Sequence, residues 1–214
     1  MRPFHRSRTT LIPSRRLRKV RHSSRFARSL CCAFLPLLLL LQVASCGGAE
    51  AGSAQAHDPS PAGFRIESPA FKEGATIPVR FTCKGENVSP QLAWTNPPAG
   101  TRSFVLIVED PDAPAGVWTH WVVYNLPAQT RAMDETAPKQ PRLPDGGLQG
   151  VTSFGGVGYG GPCPPPGNAH RYFFRLYALD TALNLLPGAA KQDVVAAMKG
   201  HVLGKAELMG RFKR

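Results

Sequence analysis

The first 45 residues contain no acidic residue and no glycine. They hold ten of the chain's 26 Lys and Arg, so the formal charge of +12 is concentrated there. From Cys46 onward 16 basic residues face 14 acidic ones, a net of +2. A body so nearly neutral excludes the basic surface by which a domain holds nucleic acid. No unbroken apolar run reaches the ~20 residues that span a bilayer as a helix. The longest stretch, Leu30 to Leu41, is interrupted by Pro36. Cysteine is scarce, five in 214 residues, which excludes a cysteine-dense scaffold. There is no internal repeat, hence no solenoid. Tight ligand spacings such as His-x-x-x-His are missing, which argues against a metal centre and leaves no cofactor to expect.

What is present begins with an export signal. A basic region running to Arg28, a short apolar core and small residues before a break are the layout of a secretory leader, assigned to residues 1–45. The break, Val43-Ala44-Ser45-Cys46, resembles the bacterial lipobox, in which the cysteine is lipidated and becomes the first residue of the mature chain. Attachment by more than one acyl chain would hold the protein firmly on a membrane. Ordinary cleavage near Ser45 and an uncleaved anchor are the alternatives. Gly47 follows Cys46 where an Asp would signal inner-membrane retention, so the expected location is the bacterial envelope, anchored in the outer membrane and facing the periplasm. Residues 46–62 are the lipidated cysteine and a Gly/Ala/Ser/Pro tether, and residues 63–214 a single domain.

Gly and Pro make up 39 of the 169 residues from Cys46 onward, too many for a helical bundle and suited to short strands joined by turns. Phe64 to Glu67 alternates, and Val79 to Cys83 is a short strand candidate. Ser103 to Val108 is apolar on both faces, which predicts a central buried strand. Trp121 to Leu126 and Tyr172 to Leu179 read the same way, and Glu207 to Phe212 as a late edge strand. One helix is predicted over Lys191 to Leu203, from apolar residues at helical spacing between Pro187-Gly188 and Gly204. Residues 127–150 lack periodicity and read as a long loop. With Cys31 and Cys32 in the leader and Cys46 acylated, Cys83 and Cys163 remain. In an exported domain they are most simply a disulfide, the alternative being two free thiols.

Polar groups concentrate in three segments: Asp110-Pro111-Asp112-Ala113-Pro114, Trp118-Thr119-His120-Trp121, and the Gly/Pro run that ends at His170-Arg171-Tyr172. Pro111 fixes the backbone between two carboxylates at a strand end. His120 and His170 can donate ring N–H groups, and a carboxylate behind each ring would orient it and raise its pKa. Protonated imidazoles with glycine-rich backbone N–H groups around Gly161 would cradle a small anion. Taken singly, each segment is as well explained by a turn, a structural histidine or a loop.

Their joint order resembles the phosphatidylethanolamine-binding protein family, in particular its bacterial Raf-kinase-inhibitor-like branch. Gly85-Glu86-Asn87-x-Ser89-Pro90, Asn96-Pro97-Pro98-Ala99-Gly100-Thr101 and Met198-x-Gly200-His201 extend the match over about Phe64 to Phe212. The resemblance implies a mainly β fold, a large central antiparallel sheet flanked by a smaller one with few helices. It also implies a pocket for phosphate or a phospholipid headgroup. By motif, Asp110, Asp112, His120 and His170 line that pocket, with Trp118, Pro111, Pro114 and Tyr172 shaping it and backbone from Gly161 to Cys163. Pro166 stands where many relatives carry a lysine, which removes a cation near the mouth. The expectation is a binding or regulatory module, not an enzyme, acting as a kinase- or protease-inhibitor-like protein with a protein partner the sequence does not name. A phosphoesterase using the His/Asp cluster and a structural envelope protein are the alternatives. Against the first, no serine or cysteine sits in a recognisable nucleophile motif.

Overall fold

A computed structural model describes residues 63–214. The leader, Cys46 and the tether lie outside the described residues, among which no helix is long and apolar enough to cross a membrane. Eight strands form two antiparallel sheets. The smaller one contains β1 (Arg65–Glu67), β2 (Leu92–Thr95) and β5 (Ala132–Met133) in the order β1-β2-β5. The larger contains β3 (Ser103–Asp110), β4 (Trp118–Pro127), β6 (Leu148–Gln149), β7 (His170–Leu179) and β8 (Val202–Phe212) in the order β6-β4-β3-β7-β8. This is the mainly β architecture that the sequence resemblance implies.

β3 sits in the middle of the large sheet, and every one of its residues is buried because both faces are covered. Its even-numbered apolar residues, Phe104, Leu106 and Val108, face Ile66, Leu92 and Trp94 of the small sheet across the main core. Its odd-numbered ones, Val105 and Ile107, face Val194 and Met198 of α1 (Lys191–Met198) across a second core. The strand period of two thus divides one sequence run between two cores.

Three elements differ from the sequence expectation. Val79–Phe81 forms a 3-10 turn and not a strand. Pro78 holds its φ at −57°, and the Thr82 hydroxyl donates to the Val79 carbonyl, drawing the segment into a turn. The helix stops at Met198, short of Leu203, because Gly200 takes a left-handed φ of +84°. β8 therefore begins at Val202 and pairs with β7 along its whole length, well before Glu207. Within residues 127–150 the two-residue strands β5 and β6 give the loop anchors in both sheets.

Candidate anion-binding site

Asp110 ends β3 and His170 opens β7, the strand beside it, so both reach the same end of the large sheet. His120 comes from β4 on the other side of β3, by way of a bulge. The β3–β4 register passes from Val108↔Trp121 to Glu109↔Thr119, leaving His120 as the extra residue. A bulge bends the strand and re-aims a side chain. Here the ring of His120 stands edge-on to Tyr172, at 5.2 Å between centroids, while Trp121 still packs into the main core.

The three groups surround a cavity of about 290 Å³, lined also by Ala113, Pro114, Ala115, Trp118, Phe154 and the segment Cys163 to Pro165. Its walls are mainly apolar, with the ionisable groups at the base. Asp110 Oδ2 lies 2.8 Å from His170 Nδ1, and its Oδ1 accepts the Asp112 backbone N–H at 2.8 Å. The carboxylate therefore orients one imidazole and closes the Asp110-Pro111-Asp112 turn, leaving His170 Nε2 for the cavity. His120 Nδ1 lies 2.6 Å from the Gly160 carbonyl, which makes Nδ1 the donor and Nε2 the unprotonated nitrogen of the neutral ring. Burial lowers the His120 pKa below its ordinary 6.5, outweighing the Gly160 carbonyl and the Asp110 charge that favour the proton.

The other residues expected at the site have different places. Asp112 points away from the cavity: its two oxygens take Arg171 Nε and Nη2 at 2.9 and 2.7 Å. That guanidinium holds the Asp112 carboxyl down at about 2 against a usual 3.8. Pro111 shapes the turn without lining the cavity. Tyr172 packs behind His120, and its hydroxyl is buried beside the Asp110 carboxylate. Burial, and then the Asp110 charge, push that phenol far up, so it stays protonated. The Gly161 N–H is donated to Asn87 Oδ1 at 2.7 Å and is not directed at the cavity. Asn87 holds a left-handed φ of +57°, and a Cβ on Gly161 would stand 2.3 Å from the Phe81 carbonyl oxygen. The Gly85-Glu86-Asn87 turn thus clamps the strap between β6 and β7 at a contact that only glycine allows.

Cys83 and Cys163 form a disulfide across a separation of 80 residues, and the Cys83 N–H donates to the Pro162 carbonyl beside it. The strap that carries Gly160, and with it the His120 tautomer, is therefore held covalently. Phe154 was not singled out from the sequence. It lies edge-on to both Trp118, at 5.5 Å, and His120, at 5.3 Å. The signal available was a large aromatic directly before Gly155-Gly156, a turn that projects it over the cavity.

Chemically, two imidazole nitrogens face a small cavity whose neighbouring backbone donors on Asp112, Gly161 and Arg171 are already engaged. An anion placed there is held by imidazole N–H groups, and each carries a proton on Nε2 only when the ring is charged. Among the described residues, no group of three or more His, Cys, Asp or Glu is placed to hold a metal ion.

A small cavity with two histidines and an aspartate, at one end of a two-sheet antiparallel domain, is the architecture of a known family of binding proteins. Residues 67–213 match the family model described as phosphatidylethanolamine-binding protein, and the chain belongs to that family. It is 54% identical over 151 residues to a protein of Methanothermobacter thermautotrophicus named "UPF0098 protein", covering 71% of this chain and 99% of the relative. It is 38% identical over 192 residues to the "Putative lipoprotein LppC" of Mycobacterium tuberculosis, covering 83% of this chain and 92% of the relative. Since the domain reaches the C-terminus, that longer coverage runs into the segment preceding it. Among solved structures, E. coli YbcL, described as a member of the mammalian PEBP family, superposes with a TM-score of 0.67. It shares 32% identity and covers 72% of this chain and 99% of its own.

Proposed function

We propose that the protein is an exported, membrane-tethered binding module whose ligand is a small phosphate-like anion, free or as a phospholipid headgroup, taken between His120 and His170. The observation that carries this reading is the pair of oriented imidazoles: Asp110 fixes one and the Gly160 carbonyl the other, and each leaves Nε2 for the cavity. Tethering is supported by the lipobox-like Val43-Ala44-Ser45-Cys46 and by a relative whose printed name is a lipoprotein. A regulatory role as a kinase- or protease-inhibitor-like protein fits a module that binds without transforming its ligand. The Ser153 hydroxyl accepts the Thr119 N–H, and Cys83 and Cys163 are joined to each other, so none of the three stands as an activated nucleophile beside a histidine.

Titration calorimetry with inorganic phosphate and with phosphoethanolamine tests the reading. Saturable binding is expected, weakened about 10- to 100-fold by His120→Ala, the loss of one hydrogen bond to a charged ligand. No heat at millimolar ligand overturns it. Turnover of phosphate monoesters that disappears in Asp110→Asn would replace it with the phosphoesterase reading.

A further inference from the structure

The disulfide stands between two cavities. Cys163 borders the anion cavity. Together with Cys83 it also borders a second cavity of about 280 Å³, which shares Phe154 with the first. Cys163 is exposed and Cys83 half-buried, so the bond lies at the surface. A disulfide sealed in a core exchanges only after unfolding, whereas one that a thiolate can reach exchanges in the native protein. Lys139 lines the second cavity as well and makes no ion pair among the described residues. A cation there favours the thiolate form of an incoming sulfur.

What the bond holds is local. On the Gly160 side the chain is secured without it. The Gly160 N–H donates to the His120 carbonyl at 2.9 Å, the Gly161 N–H to Asn87, and the Tyr159 hydroxyl to the Phe81 carbonyl at 2.9 Å. On the other side, residues 163–169 make no backbone hydrogen bond among the described residues. Pro164, Pro165 and Pro166 have no N–H to give. Pro164 and Pro165 form a wall of the anion cavity. Between Pro162, whose carbonyl accepts the Cys83 N–H, and His170, which opens β7, the disulfide is the one bond that ties this wall across to another segment among the described residues.

We propose that the Cys83–Cys163 bond is a thiol-exchange site, attacked at Cys163 by a dithiol reductant, and that opening it frees the Cys163–Pro165 wall and weakens the hold on the anion. The incoming thiolate forms a bond to Cys163 Sγ as the bond between Cys163 Sγ and Cys83 Sγ breaks, and Cys83 leaves as a thiolate that takes a proton from water. The second thiol of the reductant gives up its proton, bonds to the sulfur of the first, and releases Cys163 as a thiol. The reductant supplies two electrons and ends as a disulfide. The cavity's part in this rests on the anion-binding reading above; the exchange chemistry does not. Reduction and binding are linked: if the reduced form binds phosphate more weakly, bound phosphate resists reduction by the same factor.

Three measurements on the full chain test it. The folded, oxidised protein is treated with reduced glutathione and the adduct located by peptide mass. Phosphate affinity is measured by calorimetry before and after full reduction with dithiothreitol. The midpoint potential is read in glutathione redox buffers, without phosphate and with phosphate saturating both forms. The expected results are an adduct on Cys163, phosphate binding about tenfold weaker after reduction, and a midpoint lower by about 30 mV in phosphate, the same tenfold factor for a two-electron couple. A bond that glutathione opens only after denaturation overturns the exchange site, and an adduct on Cys83 overturns its assignment. Equal phosphate affinity in the two forms overturns control of the cavity. Loss of the near-ultraviolet circular dichroism on reduction makes the bond a staple of the whole fold and overturns the local release. Absence of phosphate binding to the oxidised form overturns the anion reading, and the adduct alone then decides the exchange site.

Discussion

Burial lowers the His120 pKa, so at neutral pH the ring is uncharged and its Nε2 lone pair faces the cavity. An anion stabilises the charged ring, so binding draws in a proton and affinity falls as pH rises. Phosphate or sulfate should therefore raise the melting temperature more at pH 5.5 than at pH 8, and the difference should vanish in His120→Ala; a thermal scan at the two pH values checks this. Without ligand the same lowered pKa acts on stability. Above the ordinary value of 6.5 the ring is neutral folded or unfolded and its contribution is intact; as pH falls through 6.5 toward the folded pKa, the unfolded chain gains the proton first and stability is lost. Asp112 adds a second acid-sensitive step. Arg171 holds its carboxyl at about 2, so its contribution is complete above 3.8 and disappears as pH falls toward 2. Its side chain is 27% exposed, which keeps the effect small. Asp112→Asn should flatten acid unfolding between pH 4 and 2 without weakening phosphate binding at neutral pH, because Asp112 faces Arg171 and not the cavity.

At the scale of elements, the site depends on a strap held from behind. The Cys83–Cys163 bond and the Asn87 clamp fix Gly160 and Gly161, and the Gly160 carbonyl sets the His120 tautomer. By chain entropy a bridge closing a loop of this length stabilises by about 4 kcal/mol. The double variant Cys83→Ser, Cys163→Ser should therefore melt well below the unaltered protein and bind phosphate more weakly, both read by thermal scan and calorimetry. Gly161→Ala should cost about 1–3 kcal/mol for the overlap with the Phe81 carbonyl; an unchanged melting temperature would contradict the clamp. The buried strands were legible in the sequence, because a fully apolar run such as Ser103 to Val108 admits few other readings, whereas the residues of the cavity base came from the joint order of the polar segments and the family that order resembles. Residues 79–83 were not, since Pro78 and Thr82 act against a local β pattern. Nor were the places of Asp112, Gly161 and Phe154. Spacing shows which residues lie near a strand end, whereas a bulge, an ion pair and a cross-chain clamp decide which of them face the cavity.

For the whole molecule, ten of the 26 basic residues lie within residues 1–45, and the two imidazoles of the cavity lie at one end of the large sheet. If Cys46 carries the acyl chains, cells fed a clickable palmitate analogue should label the protein, and Cys46→Ser should remove the label; label persisting in that variant would move the anchor elsewhere. The central claim, an anion bound between imidazoles that must take up a proton, is tested most directly by counting that proton. Calorimetric titration of sulfate near pH 7, in two buffers of different ionisation enthalpy, should give heats that differ by buffer in the sense of net proton uptake. That uptake should fall in His120→Ala. Saturable binding with identical heats in both buffers would contradict the account.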